Sequence, residues 1–347
     1  MDRTVVLAGA GLSAMAQLPT TSQLLQSFLE ASRASPFGDA ISAHLQKYWR
    51  DVFGWQKGRK TPSFENHFTT LDLSANTGHC VGRLYNPAQL RAIRRLSLHR
   101  VFETLDQRFQ NSGHIQKLVD LLATGDSNTV LSTNWDIVIE RHCREANHAF
   151  HYGVRTEYLD RRVVPRKGLG ILKLHGSSNW CYCDSCRRLF AYTDGKGVLK
   201  DWLFLEARDF RALGDTPTAD YLETNHTGDE RKCPYCDIRV STRVATFSFD
   251  KALGFYQFQG VWEDALRTLR EAERWIFVGY SLPEADFQLR HVLKTAQLAG
   301  PATRNLVIEV VVKRDNLAVE RYKRFFGARV KHIYIDGFAD WIGGLPA

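Results

Sequence analysis

Thr4-Val5-Val6-Leu7-Ala8-Gly9-Ala10-Gly11-Leu12-Ser13 is the stretch whose reading decides the fold. Its first five residues are β-branched or apolar without alternation, the pattern of a strand buried on both faces, as in a parallel sheet. The small residues Gly9, Ala10 and Gly11 follow at once. They let backbone amides come close to a phosphate at the start of a helix, where the dipole favours negative charge. A longer helix is expected near Thr21 to Arg33.

The same alternation recurs along the chain. Ile115 to Ala123 reads as a helix, Thr129 to Ser132 as a strand, and Asp136 to Glu145 as a helix. Gly170 to His175 is a further strand end. Val261 to Ala272, Trp275 to Val278 and a helix reaching about Ala299 continue the series, which closes with Leu306 to Val312, Leu317 to Phe326 and Val330 to Ile335. Strands alternating with helices specify an α/β fold with a doubly wound parallel, Rossmann-like sheet, in which ligands bind beyond the carboxyl ends of the strands. Between about 36 and 111, Trp49, Trp55, Phe64, Phe68 and Leu90-x-x-Ile93-x-x-Leu96 carry helical spacing without strand signals, so this segment reads as a helical insertion. The expected organisation is a sheet domain over 1–180 and 241–347, the helical insertion at 36–111 within it, and a small metal module at 181–240.

That module is read from Cys183-x-x-Cys186 and Cys233-x-x-Cys236. Two such knuckles supply four thiolates, the tetrahedral sulfur set of a structural zinc, and a closed site of this kind leaves no open position for a substrate. The 46 residues between Cys186 and Cys233 exceed the usual ribbon spacing, so the module is expected to carry an excursion that includes the polar stretch Asp215 to Glu230. A redox pair or accidental core cysteines are the plainer readings, and two matched knuckles argue against both.

With 347 residues, 44% of them hydrophobic, the chain can bury a large core. Seven cysteines, with Cys80, Cys143 and Cys181 outside the knuckles, fit a reducing cytoplasm better than a disulfide framework. No charged leader with a cleavage site precedes Thr4, and no stretch has the length of a membrane span. The net charge of +8 admits a polyanionic partner, and Arg91, Arg94, Arg95 and Arg100 recur at helical spacing. No nucleic-acid motif accompanies them, so a solvated basic face is the simpler reading and direct nucleic-acid binding stays open. Arg155 to Lys167 is a second basic stretch, expected in a loop.

Four strand-end loops carry unusual residues: Gly9-Ala10-Gly11-Leu12-Ser13, Ser132-Thr133-Asn134-Trp135-Asp136, Lys173-Leu174-His175-Gly176-Ser177 and Gly279-Tyr280-Ser281-Leu282. Taken in this order, with cysteine knuckles behind the histidine, they resemble the sirtuin superfamily from end to end. Each motif alone is weak; Asn134, Asp136, Ser13 and Ser281 are also residue types that cap helices. The resemblance implies a sirtuin-type sheet that takes NAD as substrate, with Gly9, Ala10 and Gly11 at its phosphates. It gives Asn134 to the ribose side and Asp136 to the nicotinamide amide, with Ser13 and Thr133 among the cofactor-binding residues. Gly279 and Ser281 fall at the phosphate and ribose contact, and Lys313, Arg314 and Asp315 at the adenosine end. Breaking the nicotinamide–ribose bond generates an oxocarbenium-like centre, for which an enzyme needs a base and an aiming group; His175 suits the first and Asn134 the second.

Departures from the deacylase pattern narrow the expected activity. The chain reads Gln17-Leu18-Pro19-Thr20-Thr21 where deacylating sirtuins continue toward a Phe-Arg pair, lacks Gln before Asn134, and has Phe247-Ser248-Phe249-Asp250 in place of a peptide-pairing Phe-Gly-Glu. The pattern looks like the divergent bacterial sirtuin-like effectors of antiviral defence, many of which lack a zinc module. It implies an NAD glycohydrolase releasing nicotinamide and ADP-ribose. Restraint would come from self-assembly into a homo-oligomer or from a separate regulatory protein, an ATPase or an Argonaute-type partner. An NAD-dependent deacylase or ADP-ribosyltransferase, and a non-catalytic module that binds NAD or ADP-ribose, are the other readings.

Overall fold

The computed structural model describes residues 3–29, 37–125, 128–159, 162–164, 166–192, 205–225, 232–241, 256–299 and 305–345. The elements run β1 (Thr4–Ala8), α1 (Ala10–Ser13), α2 (Thr21–Ser27), α3 (Gly38–Phe53), α4 (Phe64–Thr77), α5 (Pro87–Gln107), α6 (Gly113–Ala123), β2 (Thr129–Ser132) and α7 (Val138–Glu145). Then come β3 (Phe150–His151), β4 (Leu169–Lys173), β5 (Trp180–Tyr182), β6 (Leu189–Ala191), α8 (Ala207–Ala212), α9 (Thr216–Asn225) and α10 (Tyr256–Glu271). The chain closes with β7 (Arg274–Val278), α11 (Phe287–Leu298), β8 (Val307–Val311), α12 (Asn316–Phe326), β9 (Val330–Tyr334) and α13 (Phe338–Gly343).

Two compact units emerge. One comprises Met1–Leu18, Phe109–Ser177 and Leu253–Ala347; the other comprises Pro19–Arg108 and Ser178–Ala252. The helical segment and the cysteine knuckles thus belong to one unit.

The first unit is built on a seven-stranded sheet ordered β3-β4-β2-β1-β7-β8-β9, in which every pairing is parallel. From the central strand β1 the chain moves to β2, runs out to the edge at β3, comes back to place β4 between them, and then crosses to the other side of β1 as β7. The order therefore reverses between β1 and β7, the topological switch point at which doubly wound sheets open a crevice. Val5, Val6 and Leu7 have no solvent exposure, which accounts for their unbroken apolar run. At the sheet edge β9 is largely exposed.

The register sets where the connecting loops begin. Ala8 pairs with Ser132 and with Val278, Ser132 pairs with Lys173, and Val278 pairs with Val311. Five strand ends lie in one row, so the loops that leave them start level with one another.

In the second unit, α3, α4 and α5 pack an aromatic core. Phe28 stacks on Trp49 at 6.4 Å, and Trp49 and Tyr48 both meet His67 edge-on. Three of the basic residues of α5 are paired within this unit. Arg100 is fully buried and bonds Glu103, Ser42 and the Gly38 carbonyl, while Arg94 bonds Asp72 and Arg95 bonds Asp209. Only Arg91 of the four is exposed. The expected excursion between the knuckles contains α8 and α9; residues 226–230 of its polar stretch lie outside the described residues, as do Phe247-Ser248-Phe249-Asp250 and Asp160, Arg161 and Pro165 of the second basic stretch.

His67 accepts from the Trp49 indole at 3.1 Å through Nδ1 and meets Ser97 at 2.8 Å through Nε2, so its place in the core requires a neutral ring. Burial pulls its pKa down to about 3, and burial likewise takes His99 down to about 4. Both folded values lie below the unfolded one near 6.5, so the unfolded chain binds more protons once pH falls through 6.5. Stability is complete above that value and is lost below it. At pH 5 each ring costs about 2 kcal/mol. The melting temperature should drop steeply between pH 7 and pH 5; a flat profile there would show that neither ring is buried neutral.

Candidate active site and metal centre

The switch point is closed by glycine. Gly9 and Gly11 donate their amides to the Val278 and Gly279 carbonyls at 3.0 and 2.9 Å, and a Cβ on Gly11 would lie 2.7 Å from the Gly279 Cα. Gly279 has a φ of +61°, and a Cβ there would lie 2.3 Å from the Leu12 amide nitrogen. A side chain at Gly279 meets both a left-handed backbone and another main chain, neither of which can yield cheaply. Gly279→Ala is expected to cost on the order of 3 kcal/mol, read as a lowered chemical-unfolding midpoint. An unchanged midpoint would mean that the two loops do not cross this closely.

Ala10 begins α1, and Ser13 ends it with its side chain turned into the protein. Ser13 Oγ donates to Asp136 Oδ2 at 2.7 Å and accepts from Asn134 Nδ2 at 2.9 Å. The other oxygen of Asp136 accepts the Val138 amide at 3.1 Å, at the entrance to α7. Asp136 therefore bonds the first amide of α7 from one residue outside the N-cap, which is Ile137, while holding Ser13 as well; Asn134 and Ser13 do not cap with their side chains. Thr133 gives its amide to the Ala8 carbonyl at 3.1 Å. Its own carbonyl takes His175 Nδ1 at 3.1 Å.

These contacts follow from the strand row. Asn134 and His175 each stand two residues beyond the paired positions Ser132 and Lys173 of neighbouring parallel strands. Ser13, Asn134, Asp136 and His175 are all buried. The structure thus brings Gly9, Ala10, Gly11, Ser13, Thr133, Asn134, Asp136, His175 and Gly279 to one end of the sheet.

Ser281 and Asp315 stand further along the same row of ends. Ser281 is exposed, and its carbonyl accepts Arg321 Nε at 2.8 Å. Asp315 caps α12 through the Ala318 amide at 2.9 Å, and its other oxygen lies 4.0 Å from Arg321.

Four residues of this end take no role from the motifs, Lys173 among them although it opens one. Lys173, buried at the end of β4, donates to the Asp136 carbonyl and lies 3.6 Å from Glu140 on α7. Burial pushes the Glu140 carboxyl above its ordinary range, and the Lys173 ammonium opposes that. Asp286, 3% exposed, stands with Oδ1 3.8 Å from His175 Nε2. Its other oxygen accepts the Tyr280 hydroxyl at 2.8 Å. Trp262 of α10 flanks the imidazole with its ring 6.0 Å away. A lone Asp before a helix reads from sequence as a cap, and only the folded chain turns it toward the histidine.

In the second unit the four knuckle thiols converge. Sγ atoms of Cys183, Cys186, Cys233 and Cys236 all lie within 4.8 Å of one another, and the Cys183–Cys236 and Cys186–Cys233 separations are each 3.4 Å. Tetrahedral zinc at about 2.3 Å from each sulfur needs sulfurs roughly 3.8 Å apart, which the cluster brackets. The two knuckles repeat one backbone turn. Arg187 and Asp237, each directly after the second cysteine, have φ of 58° and donate to the carbonyls of Cys183 and Cys233 at 2.9 Å. The Cys183 and Cys233 amides in turn reach Arg188 and Ile238. Tyr182 and Ser241 exchange amide bonds and tie the knuckles together.

No protein-family model and no curated protein sequence matches the chain. Solved structures do. The chain is similar to a sirtuin solved for its substrate affinity, at 13% identity and a TM-score of 0.46, over 98% of this chain and 90% of that one. It is also similar to Sir2 with p53 peptide and NAD+, at 13% and 0.45 over 98% and 90%. A third, a Sir2 enzyme solved for mechanism and regulation, aligns at 15% and 0.43 over 98% and 88%. The chemistry of the site rests on its own residues. Among the described residues, no helix is long and apolar enough to cross a membrane.

Proposed function

We propose that this chain is an NAD glycohydrolase of sirtuin type. The observation that carries the reading is the joined pair of strand-end loops: Ser13, Asn134 and Asp136 linked by hydrogen bonds, with the His175 imidazole fixed on the Thr133 carbonyl beside them. A glycine-lined switch point, where the Gly9 and Gly11 amides bond the Val278 and Gly279 carbonyls, stands next to that pair at the crevice end of the sheet.

The roles follow from donors and acceptors. With Nδ1 donating to Thr133, Nε2 is the nitrogen of His175 that takes a proton. Asn134, held by Ser13, presents an amide that can aim water and ribose. Asp136, already accepting from Ser13, offers an acceptor for the nicotinamide amide. In the reaction the electron pair of the glycosidic bond leaves with nicotinamide, the water oxygen bonds to the ribose carbon, and the proton of that water passes to His175. The products are nicotinamide and ADP-ribose. Gly279 and Ser281 serve phosphate and ribose, and Asp315 the adenosine end.

The four knuckle cysteines would hold a structural zinc, which supplies folding energy and no chemistry to the reaction. The deacylase-type peptide contact is the part of the resemblance that is missing, and on that ground water is the acceptor. An NAD-depleting effector of bacterial antiphage defence, cytoplasmic and restrained by a partner or by its own assembly, is the setting that fits such an activity.

Purified protein incubated with NAD alone tests the reading. Free ADP-ribose without any acceptor supports it. Turnover only with acyl-lysine or a protein acceptor would replace hydrolysis by deacylation or ADP-ribosyl transfer, and binding without turnover would leave a non-catalytic module.

A further inference from the structure

The residue at the start of α11 has an arrangement that its position in the helix does not explain. Asp286 occupies the N-cap of α11, where an aspartate ordinarily turns back to the first helical amides, yet its side chain makes no capping bond. The carboxylate is directed instead into the first unit's interior. One oxygen takes the Tyr280 hydroxyl at 2.8 Å, and the other faces His175 Nε2 at 3.8 Å. Burial, with the Asp286 charge adding to it, holds Tyr280 protonated far above the ordinary tyrosine range, so the phenol remains the donor. Tyr280 is in turn bound through its carbonyl by the Tyr322 hydroxyl at 2.7 Å.

We infer that Asp286 is a positioning residue for His175: its carboxylate faces the ring nitrogen that accepts the proton and stabilises the imidazolium formed there, while Tyr280 holds the carboxylate in place. The inference rests on the reading of His175 as the base. When water adds to the ribose carbon, one O–H bond breaks and an N–H bond forms at Nε2, leaving a positive ring between two fixed partners. Thr133 neutralises the Nδ1 side with a carbonyl dipole, and Asp286 the Nε2 side with a full charge. In a buried setting a facing carboxylate favours the charged imidazole strongly. Among the described residues, the groups that face this centre include the Thr133 carbonyl after β2, Trp262 on α10, Asp286 at the start of α11, and, behind Asp286, Tyr280 after β7 with Arg290 one turn further along α11.

Two variants with opposite expected signs test this. Asp286→Asn keeps the shape and removes the charge. The His175 ring, followed by nitrogen-15 histidine spectra, should lose at least tenfold in proton affinity, and kcat should fall about a hundredfold with KM changed less than twofold. The acid limb of the kcat/KM profile should move to lower pH with it. Tyr280→Phe removes the donor and concentrates charge on the carboxylate, so proton affinity should rise by about twofold or more. A structural role alone would lower activity in both variants without moving the ring titration in opposite directions. Asp286→Glu, which restores a carboxylate, should recover part of kcat. Asp286→Asn titrating as wild type, or retaining kcat within twofold, overturns the inference. If wild-type protein does not hydrolyse NAD, the proposed function falls, and the ring titrations of Asp286→Asn and Tyr280→Phe still decide this point. If Asp286→Asn does not fold, Tyr280→Phe decides it: an unchanged or lowered His175 proton affinity overturns it.

Discussion

If the chain hydrolyses NAD as proposed, Asn134→Ala and His175→Ala should each bring turnover down by about 10³-fold, with zinc content unchanged and the melting temperature within a few degrees of wild type. The size follows from what is removed. A positioned general base contributes on the order of 10² to 10⁴ in rate, and a group that aims the nucleophile adds an effect of orientation. The two side chains belong to one bonded set of strand-end loops. Asn134 is anchored on Ser13, and His175 on the carbonyl one residue before Asn134. Their effects should therefore be far from additive, and Asn134→Ala/His175→Ala should be hardly slower than either single variant. Product release of nicotinamide and ADP-ribose, followed by chromatography on all three, checks both statements. Either single variant at a tenth or more of wild-type turnover would remove that residue from the chemistry.

Cys183→Ser and Cys236→Ser act on the other unit. Structural zinc in a four-thiolate site contributes apparent binding energies of about 10–16 kcal/mol at neutral pH in small zinc domains, and that energy is folding energy. Removing one of four sulfurs from a cluster with all Sγ atoms within 4.8 Å should leave the knuckles unable to close. The expected outcome is loss of bound zinc by elemental analysis, poor solubility and a melting transition lowered by more than 10 °C, at about 2–4 °C per kcal/mol. Wild-type protein should carry one zinc per chain, and the Asn134 and His175 variants should carry the same. A stable, metal-free Cys183→Ser protein would show that the four thiols meet for some other reason.

The strands of the sheet were legible because their burial is two-sided. Thr4 to Ala8 is a β-branched and apolar run, Trp275 to Val278 is wholly apolar, Thr129 to Ser132 holds Val130-Leu131 at its centre, and each is a strand within one residue of its expected bounds. β3 was not legible: two residues at the sheet edge, both only half-buried, leave no periodic signal. α13 is only six residues long and follows the last strand without a helix-length pattern. In the site, residues that stand within motifs could be named because each motif leaves a strand end. Asp286, Lys173 and Glu140 depend on where side chains turn in three dimensions. The arginines of α5 illustrate the same limit: their spacing gives a helix face, but Asp72, Asp209 and Ser42, which engage them, come from distant parts of the chain.

The central place of β1 also governs the order in which the molecule can be made. Its partner on one side, β2, and the strand beyond it, β4, leave the ribosome early, whereas β7 follows β4 by about a hundred residues. At roughly 5–20 residues per second, one flank of β1 stays bare for about 5–20 s during synthesis. A bare strand edge, with its backbone groups unpaired, invites mispairing, so this interval is when a nascent chain most needs a chaperone. It also means that Gly279 arrives to meet Gly9 and Gly11 only late in translation, and a truncated or stalled product ending before β7 is born without its switch point.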